Sequence, residues 1–133
     1  MNRDCLTKLA KIKNRRKYFV KKLDQVVSKI MVKNYGQCVC CGSTERLGCG
    51  HLFTRQAYST RWDIEPGGNC YCQAWPCNFR HEYDPYPLTR YFLKRFGQEK
   101  YDDLHRRHVT PRKYTTAELE ELLEALHKKI SEM

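Results

Sequence analysis

The chain has 133 residues, room for one domain with a helical appendage but not for two independent enzymes. Lys and Arg number 25 against 15 Asp and Glu, and this formal net charge of +10 points to a polyanionic partner, nucleic acid first. Only 41% of residues are hydrophobic, and no apolar run approaches the roughly 18 residues a membrane span requires, which excludes a transmembrane protein.

The first residues, Met1-Asn2-Arg3-Asp4-Cys5, run into charged sequence without an apolar signal core, so a reducing cytoplasm is the expected setting. Residues 1–34 hold eleven Lys or Arg against two acids and thus carry most of the net charge. Leu6, Leu9, Phe19, Val20, Leu23, Val26, Val27, Ile30 and Met31 fall increasingly at spacings of three and four, which predicts a long basic amphipathic helix. Lys11, Lys13, Arg15, Arg16, Lys17, Lys21 and Lys22 form its densest basic cluster and are expected to contact DNA phosphates, where counterion release rewards such density.

Residues 35–85 are rich in Gly and Pro, a composition of turns and short strands, and form the expected centre of the fold. From Pro87 the pattern is helical again, with Leu88, Tyr91, Phe92 and Phe96 on one face and Gly97 as a cap. A further short helix is expected over residues 98–107. The last helix is announced by the capping box Thr115-x-x-Glu118, with Tyr114 placed to staple onto Leu119. Leu119, Leu122, Leu123, Leu126 and Ile130 make its apolar stripe, suited to packing on the N-terminal helix or to a dimer seam. Three segments result: a helical arm 1–34, a core 35–85 and a helical region 86–133.

Seven of the eight cysteines lie between Cys38 and Cys77. With thiols kept reduced, such crowding reads as structural zinc rather than disulfides. Cys38-Val39-Cys40-Cys41-Gly42 contains a Cys-x-x-Cys knuckle. Cys72 and Cys77 supply the expected second half, with Cys70 as the alternative to Cys72, while Cys40 and Cys49 are expected to stay out of the site. A four-cysteine site is closed to water, so catalysis needs other residues. Gly50-His51 between the knuckles, Asn69 before the second, and Asn78 and His81 after it are the parts of a ββα-metal nuclease site.

In this order, Gln37-Cys38-Val39-Cys40-Cys41-Gly42, Gly50-His51, Thr60-Arg61-Trp62-Asp63, Cys72 to Cys77-Asn78, Tyr91 and Phe96-Gly97-Gln98-Glu99, the chain from about residue 35 onward resembles the phage NinG or Rap recombination endonucleases of the HNH superfamily. The resemblance implies an α+β fold: a zinc-stapled, HNH-like ββα-metal finger flanked by a basic N-terminal helix and C-terminal helices. It also implies a structure-selective endonuclease for branched DNA such as Holliday junctions and D-loops, at work in the host cytoplasm. The spacing of four residues between Cys72 and Cys77 departs from the family's usual two, and His81 stands where the family has Gly-Asn.

Phosphodiester hydrolysis needs a base for water and a cation for the developing charge. His51 is the expected base, and Asn69 the amide that orients it or its loop, with a turn residue as the alternative reading; Asn78 and His81 are the expected ligands of catalytic Mg²⁺ or Mn²⁺, with Asp84 as a weaker candidate. Arg55, Arg61 and Arg80 are expected to grip phosphates beside the cut. His105, His108 and His127 read as phosphate contacts or surface residues. Trp62 and Trp75 read as core, with stacking on unpaired bases as their alternative. Cutting a symmetric junction twice calls for a homodimer. The rival function is a non-catalytic zinc-finger DNA binder, and a homing or restriction HNH nuclease ranks third for want of a separate base-reading module.

Overall fold

The computed structural model describes the backbone of residues 3–133 and the side chains of residues 7, 8 and 10–133; Leu6 and Leu9 of the expected stripe lie outside the described side chains. The elements, in chain order, are α1 (Arg3–Tyr35), β1 (Leu47–His51), β2 (Cys70–Ala74), α2 (Trp75–His81), α3 (Tyr86–Phe96), α4 (Gln98–His108) and α5 (Thr116–Ser131). No glycine or proline interrupts residues 3–35, and α1 stops where Gly36 takes φ +70° and donates its N–H to the Val32 carbonyl at 2.8 Å. Among the described residues no helix is long and apolar enough to cross a membrane.

The chain forms two compact units, Met1–Val26 with Tyr114–Met133, and Val27–Lys113. This partition cuts across the three segments expected from composition: the end of α1 belongs to the core unit, and α5 belongs with the first part of α1. In the helical unit Phe19, Leu23 and Val26 are buried on α1, and Leu119, Leu123 and Leu126 on α5. The α5 stripe is therefore covered within the chain. Each such side chain contributes about 1.5–3 kcal/mol by leaving water. The capping box is formed as expected, the Thr115 hydroxyl accepting from the Glu118 N–H and the Glu118 carboxylate from the Thr115 N–H. Arg15 pairs with Glu120 at 2.9 Å, both exposed, so the pair adds at most about 1 kcal/mol.

In the core unit β1 and β2 form one antiparallel hairpin, with Cys49 opposite Cys72 and His51 opposite Cys70. Leu52, Tyr71, Leu88, Phe92 and Leu104 make its hydrophobic core, flanked by Tyr35, Phe53, Tyr91, Phe96 and Tyr101. The Tyr71 and Phe92 rings meet edge to face, and the buried Tyr71 hydroxyl donates to the Gly68 carbonyl at 2.6 Å. A single residue, Gly97, caps the end of α3 and the start of α4 with φ +90°, a conformation that favours glycine. Close packing also fixes Gly50, where a Cβ would stand 1.8 Å from the Gln73 side chain. Trp62 is core as expected. Trp75 is not: it is 55% exposed, because the helix that Pro76 helps to start turns this first residue outward.

Candidate metal centre and cleft

Among the described residues two trios of metal-competent side chains converge, each with its ligand atoms within 4.8 Å of one another: Cys38, Cys41 and Cys77, and Cys49, His51 and Cys70. Thiolates on tetrahedral zinc stand about 3.8 Å apart, so a small contraction fits either trio to that ion.

The first trio grows from a tight turn. Gly42, at φ +77°, donates to the Cys38 carbonyl, and the Cys41 N–H points to the Cys38 sulfur at 3.5 Å. Burial raises the Cys38 thiol, but backbone N–H groups of Ala74, Cys41 and Cys40 outweigh it and hold the group below its ordinary value. Cys77, brought in by α2, is pushed up to about 12 by burial and by hydrogen bonding with Cys41 and Cys38. Filling the trio with a metal would displace its thiol protons.

Cys72, expected as the fourth ligand, does not belong to this trio. It lies fully buried in β2 opposite Cys49, and burial together with the Cys38 and Cys49 charges raises its thiol to about 11. The residue at knuckle spacing before Cys77 is Ala74. Within the trio the second half-site thus brings one thiolate where two were expected. Cys40 accepts from Gln73 Nε2 at 3.4 Å. Cys49 and Cys70 lack partners at knuckle spacing, but the hairpin brings them together with His51.

A cleft of about 910 Å³ opens beside the hairpin, lined by His51, Asn78, His81, Arg55, Glu82 and His108 among others. His51 Nε2 lies 2.8 Å from the Arg61 carbonyl, which can only accept, so the proton sits on Nε2 and Nδ1 carries the lone pair. The same carbonyl accepts from the Cys70 thiol at 3.3 Å. Helix α2 is tied to β1 and its following residue: Asn78 Nδ2 donates to the Cys49 carbonyl at 3.4 Å and His81 Nε2 to the Leu52 carbonyl at 2.8 Å. His81 Nδ1 is buried and has no hydrogen-bond partner among the described residues.

Asn69 does not face the cleft. Fully buried, it accepts from the Phe53 N–H at 2.7 Å and donates to the Phe53 carbonyl at 2.9 Å. It braces the backbone two residues beyond His51. The loop carrying Arg61 is itself fixed from α4: Arg107 pairs with Asp63 at 2.6 Å, and the Asp63 carbonyl accepts from the Asn69 and Cys70 N–H groups.

His108 is the cleft residue whose place the sequence did not announce. It stacks on Phe53 and bonds Thr60 Oγ1 at 3.2 Å, while burial and then the His105 charge lower its imidazole below the ordinary value. No motif spacing links it to His51; only the packing of α4 does.

Of the expected phosphate contacts, Lys13, Lys17 and Lys21 are exposed on α1, and Lys22 lies over the Tyr18 ring. Arg15 and Arg16 are engaged with Glu120 and the Tyr114 carbonyl, and Arg80 with Asp84. Arg55 lines the cleft, whereas Arg61 lies against Tyr58 and Trp62.

The family model for the bacteriophage Lambda NinG protein matches residues 2–133. The chain belongs to the NinG family. The match takes in the helical unit as well as the cysteine-rich core. No curated protein and no solved structure matches it.

Proposed function

We propose that this NinG chain is a divalent-metal-dependent endonuclease of the HNH-like ββα-metal type, acting on branched DNA such as Holliday junctions and D-loops. The observation that supports it is the convergence of His51, Asn78 and His81 on one cleft, with His51 held in the tautomer that leaves Nδ1 basic.

In this mechanism His51 Nδ1 takes a proton from the attacking water, and the Arg61 carbonyl, already bonded to Nε2–H, stabilises the resulting imidazolium. Asn69 holds the Phe53 backbone, and through it the strand end, in place. Asn78 and His81 would hold Mg²⁺ or Mn²⁺, which supplies charge stabilisation for the phosphoryl and leaving oxygens. Cys38, Cys41 and Cys77, with Cys72 as the fourth thiolate, would hold zinc as a structural clamp. Arg55 in the cleft and Lys13, Lys17 and Lys21 on α1 would take phosphates of the flanking DNA. Two cuts in a symmetric junction call for two copies of the chain, in the host cytoplasm.

The test is a labelled four-way junction beside a matched linear duplex, with and without Mg²⁺ or Mn²⁺, using wild type and His51→Ala. Metal-dependent cutting that prefers the junction and falls by about 10²–10⁴-fold in His51→Ala is the expected result. Binding without cutting in either metal would overturn the enzyme and leave a zinc-finger DNA binder.

A further inference from the structure

On the outer side of α2 stands a run of aromatic rings that the cleft does not use. Trp75, Phe79 and Tyr83 follow one another at i, i+4 and i+8, and they are 55%, 53% and 70% exposed. Trp75 and Phe79 stack nearly parallel, with centroids 5.5 Å apart and planes 17° apart, and Tyr83 meets Phe79 edge-on at 6.1 Å. Isolated exposed aromatics are ordinary, but three in contact make a patch that asks for an occupant.

A fourth residue is committed to the same patch. The Arg46 guanidinium lies 5.3 Å from the Trp75 ring centroid. Among the described residues Arg46 is the non-glycine with positive φ, at 56°, and its carbonyl accepts the Trp75 N–H at 3.0 Å. An arginine adopts that backbone at a cost, and here the bond to Trp75 holds it there. The platform is therefore preset: rings in series, a guanidinium against the first, and Arg80 on the same helix paired with Asp84 at its side.

We propose that Trp75, Phe79 and Tyr83, with Arg46, form a stacking platform for unpaired bases of single-stranded DNA. Two nearly parallel rings with a third edge-on, beside Arg46 on a chain of net charge +10, match what bases and their phosphates need, since every base offers a π-face and stacking is indifferent to sequence. The platform occupies one flank of α2, while Cys77 and His81 lie about half a turn round the same helix. A base held on the platform thus sits within one helix width, about 10 Å, of the cleft's edge. The inference rests on the nuclease reading only for its purpose, namely selecting DNA that has unpaired bases next to a duplex arm. The binding itself needs no cutting.

The experiment is fluorescence anisotropy of a labelled oligothymidine and of a matched duplex, without added Mg²⁺ and at a salt concentration that weakens phosphate contacts. It uses the full-length protein as wild type, Trp75→Ala, Phe79→Ala and Trp75→Phe. Circular dichroism checks that each variant is folded, as substitutions at exposed positions should allow. The expected result is single-strand affinity weakened roughly five- to hundred-fold in both alanine variants, duplex affinity changed by less than about two-fold, and Trp75→Phe close to wild type. Tryptophan emission quenched by oligothymidine in wild type and not in Trp75→Ala would agree. Unchanged single-strand affinity, or an equal loss on both DNAs, overturns the platform. So does a shift from dimer to monomer on sedimentation with DNA binding intact, which would make the patch a contact between copies. A protein that cuts no DNA yet keeps Trp75-dependent single-strand binding would sink the nuclease and leave the platform standing. Junction cutting with Trp75 and Phe79 both indifferent would do the reverse.

Discussion

The two compact units hold themselves together by different means. In the helical unit, α5 and the first part of α1 each form by local rules, periodic apolar residues, a capping box and good helix formers, and are joined by their apolar stripes and the exposed Arg15–Glu120 pair. In the core unit the strands are five residues long and the cleft is made by contacts between residues distant in sequence: Asn69 with Phe53, Asp63 with Arg107, His51 with Arg61, Thr60 with His108. The helices of the first unit can form segment by segment before they pack, whereas the cleft exists only when the whole core unit is assembled. That difference explains why the metal-competent side chains and the cleft gather in the second, since only fixed distant contacts hold such groups in register.

Substitutions can break or sharpen this contrast. Phe92→Ala empties the centre of the core unit, where the ring is fully buried against Tyr71, Phe96 and Tyr101, and should cost about 3–5 kcal/mol in urea unfolding. Asn69→Ala removes both bonds to Phe53 and leaves a buried N–H and C=O unpaired. A loss of about 2–3 kcal/mol is expected, with faster hydrogen exchange at the Phe53 amide as the local sign. Thr115→Ala deletes the α5 cap and should cost only about 1 kcal/mol, with Thr115→Ser restoring nearly all of it. If the cap substitution proved more damaging than the Asn69 one, the contrast between local and assembled order would fail.

The same contrast decides what the sequence made legible. Helices α1, α3, α4 and α5 and the Gly97 cap follow from periodicity and capping, which are local. The closeness of Cys38 and Cys41 was legible from knuckle spacing, and the placing of His51, Asn78 and His81 along one cleft from motif order. Cys72 stands outside the Cys38, Cys41 and Cys77 trio because the chain changes from strand to helix between 72 and 77, which keeps Cys72 in the ladder opposite Cys49, within reach of the Cys38 charge. Cys49 and Cys70 seemed partnerless in sequence, yet pairing across the hairpin brings them beside His51. Trp75 was read as core because a small domain usually buries tryptophan, and only the direction of α2 turns it to solvent. His108 reached the cleft through packing alone.

Gly97 has a consequence for how the family can vary in length. Because it ends α3 and begins α4, there is no linker between them in which an inserted residue could be absorbed. One extra residue past this point within α4 would rotate the rest of that helix by about 100°. Leu104 would then swing out of the core, Arg107 away from Asp63, and His108 away from the cleft, all in one event. Insertions and deletions should therefore be purged at this junction and tolerated instead in exposed turns such as that around Pro111, between α4 and α5.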